Sequence, residues 1–143
     1  MRTLKQLIDS KNKRLAFVAP EQSVLRALEI MADVDVGALL VLEGKKLVGV
    51  FSERDYARKV ILQGKASRNT PVSEVMTENV VSVTTDLSVE ECMAIMTEKH
   101  CRHLPVLDKD NNVLGIISIG DAVKEIVNEQ KFIISQLENY ITG

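Results

Sequence analysis

Apolar residues recur at helical spacing in two separate stretches of the chain. In each stretch they stand at i, i+3, i+4 and i+7, which places one apolar face along a helix. The first set is Val24, Ala27, Leu28 and Met31, and the second is Val89, Cys92, Met93 and Met96. Ser23 and Ser88 precede these sets as N-cap residues, and Glu91 completes a capping box with Ser88. The pattern predicts two amphipathic helices.

A continuous apolar run follows each predicted helix, at 38–42 and at 104–107. Runs without polar alternation are typical of strands that are covered on both faces. Short polar turns, at 43–46 and 109–112, lead into further apolar runs at 47–51 and 113–117. The short connections predict two antiparallel hairpins.

The chain repeats itself. A shift of 65 places Ser23 on Ser88, Met31 on Met96 and Leu39 on Leu104. After one extra residue in a polar turn the shift becomes 66, and Ser52 and Asp55 then fall on Ser118 and Asp121. β-prone runs at 15–18 and 80–83 open the two copies, and final helices begin near 52–55 and 118–121. Each copy is therefore a β-α-β-β-α unit.

The predicted fold class is α+β with mixed sheets, in which two such repeats pack with pseudo-twofold symmetry because one copy has too little core to stand alone. A polar stretch at 64–71 separates the copies. We expect an N-terminal helix at 1–12, the first repeat at 13–66, a linker at 67–71, the second repeat at 72–130 and a C-terminal helical extension at 131–143. The extension carries an apolar stripe, which invites self-association.

Composition narrows the function. Of 143 residues, 45% are hydrophobic and 27% are charged, which excludes wholesale disorder, and 18 basic against 20 acidic residues argue against a generally basic nucleic-acid binder. We expect no membrane span and no export signal, because no apolar run is long enough. Two cysteines make no disulfide framework, so a reducing cytoplasm is the expected location.

The segments from Ser52 to Asp55 and from Ser118 to Asp121 each leave a strand and open a helix. Unpaired amides at a helix start attract phosphate, and an ionised Asp accepts hydrogen bonds from the two hydroxyls of a ribose. Arg54 adds a cationic fork in the first copy, where the second has Gly120. Ser and Asp at these positions are also ordinary helix caps, so this alternative stays open.

Other chemistry is less well supported by the sequence. His100, Cys101 and His103 lie close together, but no second cluster completes a zinc site, so no metal is expected. No nucleophile–base pair with an orienting third group is visible, so no catalytic residue is predicted. Small residues at Gly37 and Gly49 would let a flat base approach the backbone, or would serve only tight strand packing.

The two copies resemble the cystathionine-β-synthase (CBS) domain, and the pair resembles a tandem CBS module. The matching residues in the first copy are Gly-Ala-Leu-Leu-Val at 37–41 and Leu-Val-Gly-Val-Phe-Ser-Glu-Arg-Asp-Tyr at 47–56. In the second copy it is Arg-His-Leu-Pro-Val at 102–106 and Val-Leu-Gly-Ile-Ile-Ser-Ile-Gly-Asp at 113–121. The segment at 72–76 also resembles the opening of a CBS unit, and the resemblance covers roughly residues 10–130.

The resemblance implies a regulatory module that binds adenosine-containing ligands such as AMP, ADP, ATP, NAD or S-adenosylmethionine. It implies that Ser-x-x-Asp holds ribose and phosphate, and that the first and second strands hold adenine. From the resemblance and from their own chemistry, the residues expected to bind nucleotide are Val18, Ala19, Val36, Gly37, Ala38, Ser52, Arg54, Asp55, Val83, Thr84, Arg102, His103, Leu104, Pro105, Ser118 and Asp121. Arg102 and His103 are expected to supply positive charge near the Asp121 cleft, and Arg58 and Lys59, as further phosphate contacts, near the Asp55 cleft.

The predicted protein is a non-enzymatic sensor of an adenine nucleotide, AMP, ATP or NAD, bound in clefts between the repeats. The resemblance also implies a homodimer, in a flat and disc-like assembly. Whether one or both clefts are occupied stays open, and so do the preferred nucleotide and the regulated protein. Three alternatives remain: a ligand-free dimeric scaffold docking onto a separate enzyme or transporter, an enzyme, and a nucleic-acid binder.

Overall fold

The computed structural model describes residues 3–11 and 15–142. It contains two three-stranded sheets, each followed by a helix, in the repeated order that the sequence predicts. In chain order the elements are α1 (Leu4–Ser10), β1 (Phe17–Val18), α2 (Val24–Val34), β2 (Ala38–Glu43), β3 (Lys46–Ser52), α3 (Glu53–Asp55) continued by a π-helical turn (Tyr56–Ile61), a 3-10 turn (Val72–Glu74), β4 (Val83–Thr84), α4 (Val89–Lys99), β5 (His103–Leu107), β6 (Val113–Ser118) and α5 (Ile119–Thr142). The predicted α+β fold class is confirmed.

The two sheets share one topology and one irregularity. In the first, β1 lies parallel to β2 and β2 lies antiparallel to β3, and the second sheet repeats this with β4, β5 and β6. The pairing register shifts between Val41 and Leu42 in the first hairpin, and between Val106 and Leu107 in the second. These positions are 65 residues apart, so the repeat extends to the backbone irregularity itself.

The helices α2 and α4 begin where the sequence predicts. The Ser23 hydroxyl accepts the amide of Arg26 at 3.1 Å, and Ser88 forms the predicted capping box with Glu91. Both helices end on a left-handed residue, Asp35 in α2 and His100 in α4. A left-handed residue lets the chain leave a helix abruptly. Each helix thereby delivers the chain directly to the start of the next strand.

The opening segment of each copy packs into the core of the other copy. Leu4 and Leu7 of α1 belong to the core that contains β5, β6 and α4. Val72 and Val75, which open the second copy in sequence, are buried in the core that contains β2, β3 and α2. The repeats are thus interlocked, and each cleft between them is bounded by the segment that precedes the other copy's first strand.

Among the described residues, no helix combines the length and the apolar character needed to cross a bilayer. The final helix, α5, is continuous over 24 residues, whereas its counterpart in the first copy ends at Ile61. The expected difference in length between the two final helices is therefore confirmed.

Candidate functional site

A cavity of about 540 Å³ opens at the start of α3, between the two repeats. We refer to it as the first cleft. Its wall combines the start of α3 with the segment before β4 and the segment between α4 and β5. The lining residues are Gly37, Val50, Ser52, Glu53, Arg54, Asp55, Arg58, Lys59, Thr77, Asn79, Val80, Val81, Lys99, His100, Cys101, Arg102 and His103.

Ser52 and Asp55 form a capping box at the mouth of this cleft. The Asp55 amide donates to the Ser52 hydroxyl at 3.2 Å, and the Ser52 amide donates to Oδ2 of Asp55 at 2.9 Å. The Ser52 hydroxyl is also 3.1 Å from the same Oδ2. The helix-cap reading of Ser-x-x-Asp therefore holds for the first copy, and Asp55 is only 8% exposed although it lines the cleft.

The other carboxylate oxygen of Asp55 is also occupied. Oδ1 accepts the hydroxyl of Thr77 at 3.1 Å, and the ammonium of Lys59 lies 3.1 Å from it. Lys59 donates in addition to the carbonyl of Val75 at 3.2 Å. A carboxylate offers about four acceptor positions, so a ribose can bind Asp55 only by displacing one of these donors. The Lys59 side chain is 45% exposed, so its ammonium can move from Asp55 into solvent.

Three backbone amides at the start of α3 already have hydrogen-bond partners, those of Ser52, Glu53 and Asp55. The amides of Ser52 and Asp55 donate within the capping box. The Glu53 amide donates to the carbonyl of Gly37 at 3.0 Å. In the second copy, the Ile119 amide likewise donates to the carbonyl of Arg102 at 2.9 Å. The expectation of unpaired, outward-pointing amides is therefore wrong at these positions, because the loop before each central strand folds back onto the helix start.

Side chains provide the positive charge of the first cleft instead. Five Lys and Arg residues line it against two carboxylates. The cations are Arg54, Arg58, Lys59, Lys99 and Arg102, and the carboxylates are Glu53 and Asp55. A cationic concave site of this kind attracts anionic ligands and is suited to phosphate. Sequence reasoning missed Lys99 and Thr77, although the repeat alone locates the segments in which they lie.

His103 lies where the two copies meet. A Cβ added to Gly37 would come within 3.7 Å of Nε2 of His103, so the ring lies close to the backbone of the other repeat. Burial lowers the pKa of His103, and the charges of Lys11 and Arg102 lower it further, against the opposing effect of Asp121 and Asp55. The lowered pKa favours the neutral form of the imidazole, and an anion bound beside the ring would raise that pKa.

As bounded by the described residues, the equivalent space in the second copy is much smaller. We refer to it as the second cleft. It holds about 50 Å³ and is lined by Ile8, Lys11, Leu15, Ala16, Val36, Ala38, Leu40, Leu114, Gly115 and Ile116. Leu15, Ala16, Val36 and Ala38 are the counterparts, 65 residues earlier, of Val80, Val81, Cys101 and His103 in the first cleft. The two spaces are thus the same place in two copies.

Lys11 is the residue that closes the second cleft at Asp121. Its ammonium lies 2.7 Å from Oδ2 of Asp121 and 2.7 Å from the carbonyl of Ile116. Asp121 also caps α5 with Ser118, accepting the Ser118 amide at 2.9 Å and donating its own amide to the Ser118 hydroxyl at 3.0 Å. Burial raises the pKa of Asp121, but the hydrogen bonds and charge of Lys11, with those from Ser118, outweigh it and lower the pKa overall.

The remaining predicted residues lie outside the first cleft. Val18, Val83, Leu104 and Pro105 are buried in the sheets. The Ala19 amide donates to the side chain of Gln22, and the Thr84 hydroxyl hydrogen-bonds Asp86. The predicted residues that do line the first cleft are Gly37, Ser52, Arg54, Asp55, Arg58, Lys59, Arg102 and His103. The expectation that Arg102 and His103 lie near the Asp121 cleft is wrong, because the start of β5 faces the start of α3 in the other repeat. Val36 and Ala38 line the second cleft, and Ser118 and Asp121 cap α5 beside it.

Gly49 serves strand packing and not base stacking. A Cβ at Gly49 would lie 2.7 Å from the sulfur of Met76 and 2.9 Å from the carbonyl of Thr77. The segment that brings Thr77 to Asp55 therefore crosses directly over Gly49. The structure therefore supports tight packing, and not approach of a flat base, as the role of this glycine.

Neither thiol is activated. Burial raises the pKa of Cys92 to about 11, and burial also raises the pKa of Cys101. Both cysteines are free. Within residues 3–11 and 15–142, no group of three or more His, Cys, Asp or Glu side chains is arranged to hold a metal ion.

Comparison with known proteins agrees with this architecture. The family model described as "CBS domain" matches the chain twice, at residues 6–61 and 72–128. The mitochondrial CBS domain-containing protein CBSX3 of Arabidopsis thaliana is 36% identical over 150 residues, covering 99% of this chain and 72% of that protein. The solved structure of the CBS domain of NE2398 is 43% identical with a TM-score of 0.82, covering 88% of this chain and 98% of that one.

A second solved structure carries ligands. The CBS domain pair of protein MJ0100, 23% identical with a TM-score of 0.79, was solved in complex with 5′-methylthioadenosine and S-adenosyl-L-methionine. It covers 90% of this chain and 98% of its own. At that identity the match concerns the fold, and it agrees with the two interlocked repeats described above. This chain belongs to the CBS domain family and carries two CBS domains in tandem.

Proposed function

We propose that this chain is a regulatory module that binds a phosphate-bearing adenosine ligand, AMP, ATP or NAD, in the first cleft. The observation that carries the proposal is the 540 Å³ cavity in which a helix-capping carboxylate and five cationic side chains converge from two repeats. Ligand sites commonly measure about 300–1,000 Å³, so a mononucleotide or dinucleotide fits this volume. The adenosine ligands of MJ0100 support the ligand class.

The ligand's sugar is expected to bind Asp55 in exchange for Lys59. A ribose diol supplies two donors, and Oδ1 of Asp55 is the oxygen reached by the mobile ammonium of Lys59. Once displaced, Lys59 remains close enough to join Arg54 and Arg58 around a phosphate. The adenine then faces the apolar part of the wall, formed by Val80 and Val81. Each group of the ligand thus has a partner of matching chemistry.

The charge of the first cleft selects among adenosine ligands. Five cations against two carboxylates favour a ligand with two or more negative charges. S-adenosylmethionine carries a sulfonium cation, which these side chains would repel. We therefore place AMP, ATP and NAD ahead of S-adenosylmethionine for this chain.

One ligand per chain is expected. The second cleft holds about 50 Å³, and its carboxylate is paired with Lys11. This narrows the sequence-based hypothesis, which allowed a nucleotide beside either Asp55 or Asp121. Because the ligand would contact both repeats, its binding would stabilise the arrangement in which the two repeats lie together at the first cleft.

The module is further proposed to act without catalysis, as a homodimer in the cytoplasm. The raised pKa values of Cys92 and Cys101 do not favour thiol catalysis, and the proposed role is regulation of another protein. Self-association is supported by the apolar side chains that α5 leaves exposed. The mitochondrial relative shows that the family is not confined to one compartment.

Isothermal calorimetry with AMP, ATP, NAD and S-adenosylmethionine tests the proposal, with cytidine monophosphate as the control for non-specific phosphate binding. We expect at least one of the phosphate-bearing adenosine ligands to bind below millimolar with a stoichiometry near one. Arg102→Gln should weaken that binding, whereas Arg26→Gln, on the exposed face of α2 and outside the cleft, should not. Absence of binding by all three, or equal binding of cytidine monophosphate, would contradict it.

A ligand-free scaffold is the second candidate. The exposed apolar surface of α5 favours it, because such a surface needs a partner. Recovery of a stoichiometric protein partner with a cleft that binds no nucleotide would establish the scaffold in place of the sensor.

A further inference from the structure

The second half of α5 extends beyond the body of the protein. Near its start, Ala122 and Glu125 are buried and Ile126 packs against the core of the second repeat. From residue 130 to 142 every position is exposed. At 1.5 Å per residue this portion is about 18 Å long. It nevertheless carries large apolar side chains, namely Phe132, Ile133, Ile134, Leu137, Tyr140 and Ile141.

Part of this apolar surface follows the spacing of a coiled coil. Positions 123, 127, 130, 134, 137 and 141 are separated alternately by four and three residues. They hold Val, Val, Gln, Ile, Leu and Ile, and all are exposed. We call these six positions the α5 seam. A seam with this alternation keeps one face of a helix toward a partner helix.

We propose that the α5 seam binds the α5 seam of a second copy in antiparallel orientation. Charge complementarity gives the orientation. Lys131 and Glu138 occupy the same flanking position of successive heptads, on one edge of the seam. In an antiparallel pair centred near residue 135, Lys131 of each copy faces Glu138 of the other, which makes two ion pairs related by the twofold axis.

A parallel pair would lack these ion pairs. The opposite edge of the seam holds Ile126 and Ile133, and in a parallel pair these would face Lys131 and Glu138. The antiparallel arrangement also places the two protein bodies at opposite ends of the shared helices. The overlap then spans about residues 127–142, which matches the exposed part of the helix. The inference rests on the self-association proposed above and specifies its surface.

Sedimentation velocity on the full chain at micromolar concentration tests the inference. We expect the wild type to be a dimer and Ile134→Glu to be a monomer with unchanged helix content. Phe132→Glu is the matched control, because Phe132 is similarly exposed but lies on the opposite side of the helix from Ile134. That variant should remain a dimer.

Charge reversal tests the orientation. Lys131→Glu and Glu138→Lys each convert two attractive pairs into two repulsive ones, and we expect each to weaken dimerisation about tenfold. The double variant restores both pairs and should return the dimer to within about twofold of the wild type.

Three results would overturn the inference. A wild-type monomer would remove self-association as well as this surface. A wild-type dimer unaffected by Ile134→Glu would retain self-association but assign it to another face. A double charge variant no better than the single variants would exclude the antiparallel pairing.

Discussion

The two clefts occupy equivalent places in two copies of one unit, yet among the residues that the structure describes one cleft measures about 540 Å³ and the other about 50 Å³. In the first, the chain before β4 places Met76 over Gly49 and donates the Thr77 amide to the carbonyl of Val50 at 2.9 Å. In the second, the corresponding carbonyl, that of Ile116, accepts the ammonium of Lys11 instead. Lys11 is the counterpart of Met76, 65 residues earlier. The position that holds Met76 in the second copy thus holds, in the first, a lysine that reaches Asp121.

The side chains that line the two clefts also differ in charge and polarity. Arg102 and His103, at the start of β5, line the first cleft, whereas the equivalent positions at the start of β2 are Gly37 and Ala38, of which Ala38 lines the second cleft. The second cleft is lined mainly by apolar side chains and receives Ile8 of α1, whose Cγ2 would lie 3.1 Å from a Cβ at Gly115. A repeated fold therefore does not imply repeated chemistry. Binding capacity depends on the few side chains that each copy places at the shared position.

The largest expected effect is a difference in nucleotide affinity between variants of Asp55 and of Asp121. Asp55→Asn should weaken the nucleotide by about 30- to 100-fold, because hydrogen bonds to a charged acceptor contribute about 1.5–3 kcal/mol. Asp121→Asn should change affinity by less than about twofold, since Lys11 already occupies that carboxylate. Calorimetric titration of both variants checks this. Equal losses in the two variants would mean that both clefts bind ligand.

Gly49→Ala tests how the first cleft is built. Its new Cβ would meet the Met76 sulfur and the Thr77 carbonyl at 2.7 and 2.9 Å, so we expect a loss of about 2 kcal/mol in the free energy of unfolding. Gly37→Ala is the matched control, because its nearest neighbours, at 3.5 and 3.7 Å, are in ordinary contact. Urea denaturation of both variants provides the measurement. Equal stability of the two variants would show that the Thr77 segment does not depend on Gly49.

Lys11→Met tests how the second cleft is closed. The ion pair with Asp121 is partly buried, at 20% and 26% side-chain exposure, and we expect its loss to cost about 1 kcal/mol at pH 7. Because the folded pKa of Asp121 is lowered, the stabilisation is fully present above its unfolded pKa of about 3.9. It is lost as the pH falls through the folded pKa.

The difference in unfolding free energy between wild type and Lys11→Met should therefore shrink as the pH falls below about 4. Urea denaturation at pH 7 and at successively lower pH measures this difference. A gap that stays constant or widens toward low pH would show that Lys11 stabilises the fold by packing alone.

The smallest expected effect concerns His103. Its pKa is lowered in the free protein, so a bound phosphate should raise that pKa and draw a fraction of a proton from solution near pH 7. Calorimetry of AMP binding in buffers of different ionisation enthalpy measures this uptake. We expect less uptake in His103→Gln, and the comparison removes the ligand's own titration. Identical uptake would place the phosphate away from His103.

Several features of the fold could be predicted from local patterns alone. The capping residues Ser23 and Ser88, the helical faces behind them and the two hairpins depend on neighbours within a few residues, and all are present in the structure. The availability of the amides at the start of α3 could not be predicted this way. It depends on the carbonyl of Gly37, which only the folded chain brings to Glu53.

The sequence by itself determined the repeat, the α+β architecture and the Ser-x-x-Asp caps, because hydrophobic spacing and capping act over short separations along the chain. Only the tertiary structure decided which cap lies at an open cleft. Lys11 meets Asp121 across 110 residues and Thr77 meets Asp55 across 22. These contacts arise because each copy's opening segment packs on the other copy, and no local pattern encodes that exchange.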